Sequence, residues 1–197
     1  MADFSIVADV SASVLKLLRE QLCPEAMQSP ESIRLAAPTD KNGDFQLGIF
    51  LYDLREMSEY RSSAPIRGGN AKTLPPKPLT LHYMLFLNSK AQIAAGAEAE
   101  QRILGRAMQI LSDYPVVDVN RAPLSSEDAE ESASVTFLNL SFEDKTKIWS
   151  ALNIPYQVGV YFTVSPVLLS SRRSEPFVRV TDIEVQTGQR ESRAERR

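Results

Sequence analysis

The chain is poor in the residues that most chemistry needs. It has one cysteine, Cys23, and one histidine, His82, among 197 residues. A single cysteine excludes an intrachain disulfide, and the two together supply too few nitrogen and sulfur ligands for a structural zinc site. His82 is also the only imidazole that a Ser-His-Asp or Cys-His arrangement could draw on. It stands in an apolar run beside Tyr83 and Met84, which reads as a packed histidine. An excess of one charge is missing too. Lys and Arg number 22 against 25 Asp and Glu, leaving a net charge of −3 and a pI of about 5.3, which argues against general binding to nucleic acid. No apolar run is long enough to cross a bilayer, so no membrane insertion is expected. Asp3, Asp9 and Lys16 interrupt the first residues, which predicts no secretory leader and synthesis in the cytoplasm. Gly68-Gly69 lacks the Gly-Lys-Ser/Thr of a phosphate loop, and Glu127, Asp128, Glu130 and Glu131 lack the spacing of a calcium loop. These gaps predict a protein with no catalytic residues, no cofactor and no metal.

What is present is an ordinary globular composition, 43% hydrophobic and 24% charged, enough for one substantial core. The clearest element is the stretch Glu98–Val117. Leu104, Ala107, Met108 and Leu111 recur at helical spacing, flanked by Ile103 and Ile110, which predicts a helix that buries Leu104, Met108 and Leu111. Gly105 beside this stripe predicts the close approach of another backbone, and Tyr114-Pro115 ends the helix. Phe4–Leu22 predicts a first helix with Val7, Val10, Val14, Leu17 and Leu18 inward, capped by Asp3 or Ser5 and stopped by Pro24.

Strand signals lie between and after these helices. Ser32–Ala36 and Val116–Val119 are short candidates. Phe45–Leu54 alternates, with Phe45, Leu47, Ile49 and Leu51 on one face and Phe50, Tyr52 and Leu54 on the other. Leu79–Asn88 sets Leu79, Leu81, Tyr83, Leu85 and Leu87 against His82, Met84 and Phe86. Ser134–Leu140 and Tyr156–Ser165 follow, with Pro166 marking an edge, a bulge or a strand end. Ser141 with Asp144 three residues on is a capping box for a short helix through Leu152, with Ile148, Trp149 and Leu152 facing the core. Arg55–Lys77 has no stable period and predicts a long exposed loop. Ser125–Ser134 predicts an acidic, solvated loop, and Gly188–Arg197 a frayed tail. The sum is a single α+β domain, a mixed or antiparallel sheet with two to three helices packed on it. Residues 1–186 would form that domain and 187–197 a charged C-terminal tail.

Two segments carry a family likeness. ILGRAMQIL around Leu104 and KIWSALNIPYQVGVYFTVSPVL around Trp149, in that order and after LPPKPLTLHYMLFLNS, closely resemble the N-terminal domain of the virulence-cassette cap proteins of extracellular contractile injection systems. FQLGIFLYDLRE and the opening helix fit the same pattern, so the likeness runs from about Phe4 to Ser170. The resemblance implies a structural role. Such caps sit as a sixfold ring on the last layers of an inner tube and a contractile sheath, and end their growth. The partners implied are other copies of the chain and the tube and sheath subunits, and the location is assembly in the cytoplasm followed by a place in the particle. The other classes open to such a sequence are a small-molecule-binding or enzymatic α+β domain and a tail-completion protein of a phage.

For the partner surface, the sequence directs attention to its C-terminal stretch. Phe177–Val185 is apolar enough to pair as a strand, in its own sheet or in a neighbour's. Arg172, Arg173 and Arg179 beside Phe177, with Arg190 and Arg193 in the tail, are placed to meet acidic groups on another subunit.

Overall fold

The structure, a computed structural model, describes residues 4–40, 43–57, 66–68, 71–91, 96–117, 133–171 and 173–176. Three long strands make its centre: β2 (Leu47–Glu56), β5 (Lys77–Leu87) and β8 (Gly159–Leu169). Each is rich in aromatic and branched residues, and most of the length of β5 and β8 is buried, as strands covered on both faces require. β1 (Ile33–Leu35) runs parallel to β2, while β6 (Val116–Val117) and β7 (Ala133–Phe137) extend the other side antiparallel, giving the order β1-β2-β5-β8-β7-β6. The sheet is therefore mixed. With α1 (Ile6–Leu22), α2 (Ala97–Asp113) and α3 (Phe142–Ala151) it makes the expected α+β domain.

α1 and α2 pack together on one face. Ile6, Val10, Val14, Leu18 and Leu22 of α1 meet Leu47, Ile49, Leu81, Tyr83, Leu85, Phe162 and Val164 of the sheet. At the centre Tyr83 stacks on Phe162, ring centroids 5.3 Å apart. The Ser11 hydroxyl donates to the Val7 carbonyl, which leaves Tyr83 to donate to Ser11 Oγ at 2.8 Å in a buried pair. Burial pushes the Tyr83 phenol up to about 12, so it stays a donor at any ordinary pH. Of α2, Ile103, Leu104, Ala107, Ile110 and Leu111 are buried. Met108, expected in that stripe, is 43% exposed and lies outside it. Gly105 is exposed with open space where a Cβ would sit, so the close approach expected there is absent.

The opposite face carries a smaller, aromatic core of Phe45, Met84, Phe86, Trp149 and Tyr161, covered by α3 and the chain that flanks it. The Ser141 cap forms as expected: its Oγ accepts from Asp144 N at 3.1 Å and lies 2.6 Å from the Asp144 carboxylate. Phe45 belongs here rather than with Leu47, because it precedes the first pleated residue of β2; its ring meets Phe86 edge-on at 6.2 Å. The Phe86 ring lies directly over Gly48, and a Cβ at Gly48 would fall 2.2 Å from Phe86 Cζ. Gly48→Ala should therefore destabilise by about 1–3 kcal/mol through overpacking. Denaturant unfolding checks this, and Phe86→Leu in the same background should recover part of the loss. Equal stability of Gly48→Ala and wild type would show that the ring is free to move.

Two irregularities reset the alternation. Register shifts between Leu51 and Asp53, leaving Tyr52 as an extra residue. Beyond it Asp53 pairs with His82 and Leu54 with Leu81, so Leu54 lies on the α1 side and not with Phe50 as the alternation predicted. A second shift sets Ser165 and Pro166 opposite Thr80, so of the three options for Pro166 the bulge is the one adopted, inside a strand that continues to Leu169.

The stretch Arg55–Lys77 is not simply a loop. It holds β3 (Ile66–Gly68) and β4 (Ala71–Thr73), which with β9 (Ser174–Pro176) form a second, three-stranded sheet in the order β3-β4-β9. β2 leads into this sheet, β5 leaves it, and β9 follows the end of β8. Met57 N donates to Pro78 O at 2.9 Å where β2 and β5 part.

Candidate functional site

Three surfaces are candidates for function, and each follows from how the sheet is covered. The first is the open half of the aromatic face, beyond the reach of α3. The bulge at Tyr52 brings Tyr52, Asp53 and Arg55 beside His82 there. Tyr52 meets His82 edge-on at 5.9 Å and Tyr161 at 6.2 Å. Arg55 Nε donates to Asp53 Oδ2 at 2.7 Å, and that bond is the main reason the Asp53 carboxyl is held below its usual range. His82 is the partly packed histidine expected from its strand. Burial lowers its pKa, the Arg55 charge lowers it further, and Asp53 opposes both.

This cluster has a pH signature. In the unfolded chain the imidazole takes up a proton at about pH 6.5. In the folded state it resists protonation to a lower pH, so its contribution to stability is complete above that value. It is lost as the pH falls from there toward the folded pKa, below which it no longer changes. His82→Asn should therefore melt with a shallower dependence on pH than wild type in the mildly acidic range. Identical slopes would show that His82 does not titrate differently on folding.

The second surface is an apolar knob where α3 meets β8. Phe142 is 69% exposed and Val158 67%, and Phe142 packs on Tyr156 at 5.0 Å, which in turn meets Trp149 at 6.5 Å. Exposed aromatic anchors resting on a buried one are the kind of feature that partner surfaces use.

The third is the set of strand edges. The outer edge of β1 is occupied by its own helix: Arg19 Nε and Nη2 donate to Ile33 O at 3.1 and 2.9 Å, with Glu31 3.5 Å from the same guanidinium. At the other edge β6 shows two residues among those described, directly after Pro115, which has no N–H. A proline at an edge and side chains that occupy edge carbonyls both oppose the addition of a strand. The small sheet is different. Its outer strands are β3 and β9, and only β9 contains a proline, Pro176.

Of the residues singled out for partner binding, Arg173 alone lies within the described chain. It is exposed, and its N–H donates to Ser171 Oγ at 3.1 Å just before β9. Arg172, Phe177, Arg179, Arg190 and Arg193 lie outside the described residues, as do the possible strand Phe177–Val185, the tail and most of the acidic run at Ser125–Ser134. The pairing of β3 with β4 differs from the long loop expected over Arg55–Lys77, because strands of three residues are too short to show a period. Among the described residues no group of three or more His, Cys, Asp or Glu side chains is placed to hold a metal ion, and no helix is long and apolar enough to cross a membrane.

The sequence model of one protein family, the Pvc16 N-terminal domain, matches residues 9–182. Among curated proteins none matches the chain. The solved structures that share its fold include two described by what they terminate. The sheath/tube terminator of the PVC extracellular contractile injection system in its extended state superposes with a TM-score of 0.68 at 18% identity, over 95% of this chain and 65% of that one. The tube terminating cap of the anti-feeding prophage superposes with a TM-score of 0.65 at 15% identity, over 91% of this chain and 61% of that one. The chain thus spans less than two thirds of the length of either, and at these identities the likeness is one of fold.

Proposed function

Because the chain belongs to the Pvc16 N-terminal domain family, we propose that it is a structural cap, which ends the growth of the tube and sheath in a phage-tail-like contractile injection particle. The observation that carries this reading is the family match over residues 9–182, supported by a fold shared with two terminators over more than nine tenths of the chain. The physics of assembly supplies the reason for such a part. A tube built from head-to-tail contacts never closes on itself, so its last layer keeps an unfilled, adhesive surface. A terminator matches that surface on one side and presents nothing to extend on the other.

In this reading the subunit works as a sixfold ring of its own copies on the last tube and sheath layers, without catalysis. Residues 1–186 make the capping domain and 187–197 a charged arm. Arg172, Arg173, Phe177, Arg179, Arg190 and Arg193 contribute to the contact with the layer beneath, since β9 brings the chain to the outer strand of the small sheet just before Phe177. The subunit is assembled in the cytoplasm and leaves the cell as part of the particle.

The test is deletion of the gene followed by electron microscopy of the particles. Loss of the cap should give tubes of abnormal length or sheaths that contract early. Particles of normal length and stability would overturn the reading.

A further inference from the structure

His82 is the one histidine of the chain. Carboxylates titrate below it, and the thiol and α-amino group above, so a change between about pH 5 and 7 reports this imidazole. Its setting is the bulge of β2. His82 stands opposite Asp53 on one side and opposite Thr163 of β8 on the other. Tyr52, the extra residue of the bulge, lies edge-on to the imidazole at 5.9 Å and to Tyr161 at 6.2 Å.

Asp53 is already engaged. Arg55 Nε donates to its Oδ2 at 2.7 Å and Leu54 N to its Oδ1 at 2.9 Å. Beyond the Tyr161 ring, 5.8 Å from its centre, lies Lys145 of α3. The Glu56–Lys77 ion pair is out of step with His82 along both strands and falls on the other face. Among the described residues, the imidazole therefore faces one carboxylate bonded to a guanidinium, with a second cation further off. A proton on His82 would bring another positive charge to that carboxylate in a half-buried site. Burial and Arg55 both oppose the proton, and Asp53 favours it.

The end of β2 is where that charge acts. β1 pairs with Leu47–Ile49 only, so beyond the bulge β5 is the one strand neighbour of β2 among the described residues. Leu54, Arg55 and Glu56 are exposed, so little apolar contact holds this arm. β5 itself is held on its other side by β8 as far as Lys77. The arm of β2 is thus the side of the pair that can yield, and it leads toward the small sheet.

We infer that His82 and residues 53–56 form an acid-operated latch: protonation of His82 detaches the arm of β2 from β5 beyond Tyr52, while the main core stays closed. With the arm open, the imidazole is in water and takes its proton at about pH 6.5. With the arm closed, it resists the proton to a lower pH. Above about pH 6.5 the latch is shut. Below it the open arm gains population by up to about tenfold per pH unit, until the closed site is protonated too. The latch does not depend on the capping role.

Amide exchange of the full chain, corrected for the pH dependence of exchange itself, measures the opening. The reporter is the Met57 N–H, bonded to Pro78 O at 2.9 Å. It should exchange through an opening that depends little on urea, unlike the core amides, which need global unfolding. Its opening constant should rise severalfold as the pH falls below about 6.5. His82→Asn should abolish the rise. Arg55→Gln leaves Asp53 to the imidazolium and should weaken it. The imidazole resonance should titrate below 6.5 in wild type and higher in Arg55→Gln. Exchange of Met57 only together with the core, a rise that survives His82→Asn or is undiminished in Arg55→Gln, or an imidazole that titrates at 6.5 or above would each overturn the latch. Should His82→Asn not fold, wild type and Arg55→Gln decide by the same criteria.

Discussion

Leu104→Asp should leave little folded protein, whereas Met108→Asp, one helical turn further along, should melt close to wild type. Leu104 is 7% exposed, inside the cluster that joins α2 to α1 and the sheet. An aspartate there has either to ionise in an apolar site without a partner or to stay protonated at a cost, and the loss of the leucine contacts adds to it. The expected destabilisation is on the order of 4–5 kcal/mol, most of the stability of a typical domain. Met108 is 43% exposed, and a charge there stays in water, so the expected change is under about 1 kcal/mol. Chemical denaturation of the two variants compares them directly. Similar losses in both would mean that α2 is rotated from the orientation described.

Trp149→Ala should cost about 3–5 kcal/mol, the range for deleting a large buried aromatic. Trp149 is the one tryptophan of the chain and is 1% exposed. It is the only buried residue of α3, so the attachment of that helix to the sheet rests largely on it. Its Nε1 donates to Tyr161 Oη at 2.9 Å, and Lys145 lies 5.8 Å from the centre of the same Tyr161 ring. Trp149→Phe keeps most of the apolar contact and loses the hydrogen bond, so it should cost less, about 1–2 kcal/mol. Amide exchange should locate the damage in Trp149→Ala to residues 142–152 before the rest of the domain. Loss of protection throughout at the same rate would show that α3 is not a separable unit.

How much was legible in the sequence depended on whether a local rule met an exception. The alternating runs gave the core strands β2, β5 and β8 and the helical periods gave α1 and α2, because apolar repeats of two and of 3.6 residues reflect burial on a face directly. Met108 was misplaced by geometry. At 100° per residue, the buried residues Ile103, Leu104, Ala107, Ile110 and Leu111 span an arc that ends about 40° short of Met108. Ile103 and Ile110 belong to the buried stripe, which is centred on Ala107. Leu54 was misplaced because the extra residue at Tyr52 inverts the alternation after it, and a bulge leaves no clear mark in a run of apolar residues. That same inversion brings Asp53 and Arg55 to His82, so the polar cluster was not readable either. The small sheet is built from strands of three residues each, too short for a period to show. The residues proposed for partner contact came from composition alone, and apart from Arg173 they fall outside the described chain.

The buried bond between Ser11 and Tyr83 has a mechanical consequence. Apolar contacts hold a helix against a sheet without telling it where along its axis to stop, since one turn of slip exchanges one set of methyl groups for another. Two hydroxyls that meet at 2.8 Å in a dry interface act as a detent. Sliding α1 by one turn, about 5.4 Å, would leave the Tyr83 hydroxyl without its acceptor, at a cost of about 1–3 kcal/mol, while Ser11 keeps its bond to the Val7 carbonyl of its own helix. In the capping role proposed above, a load along the layers would meet resistance in shear from this pair, where oily packing alone would creep.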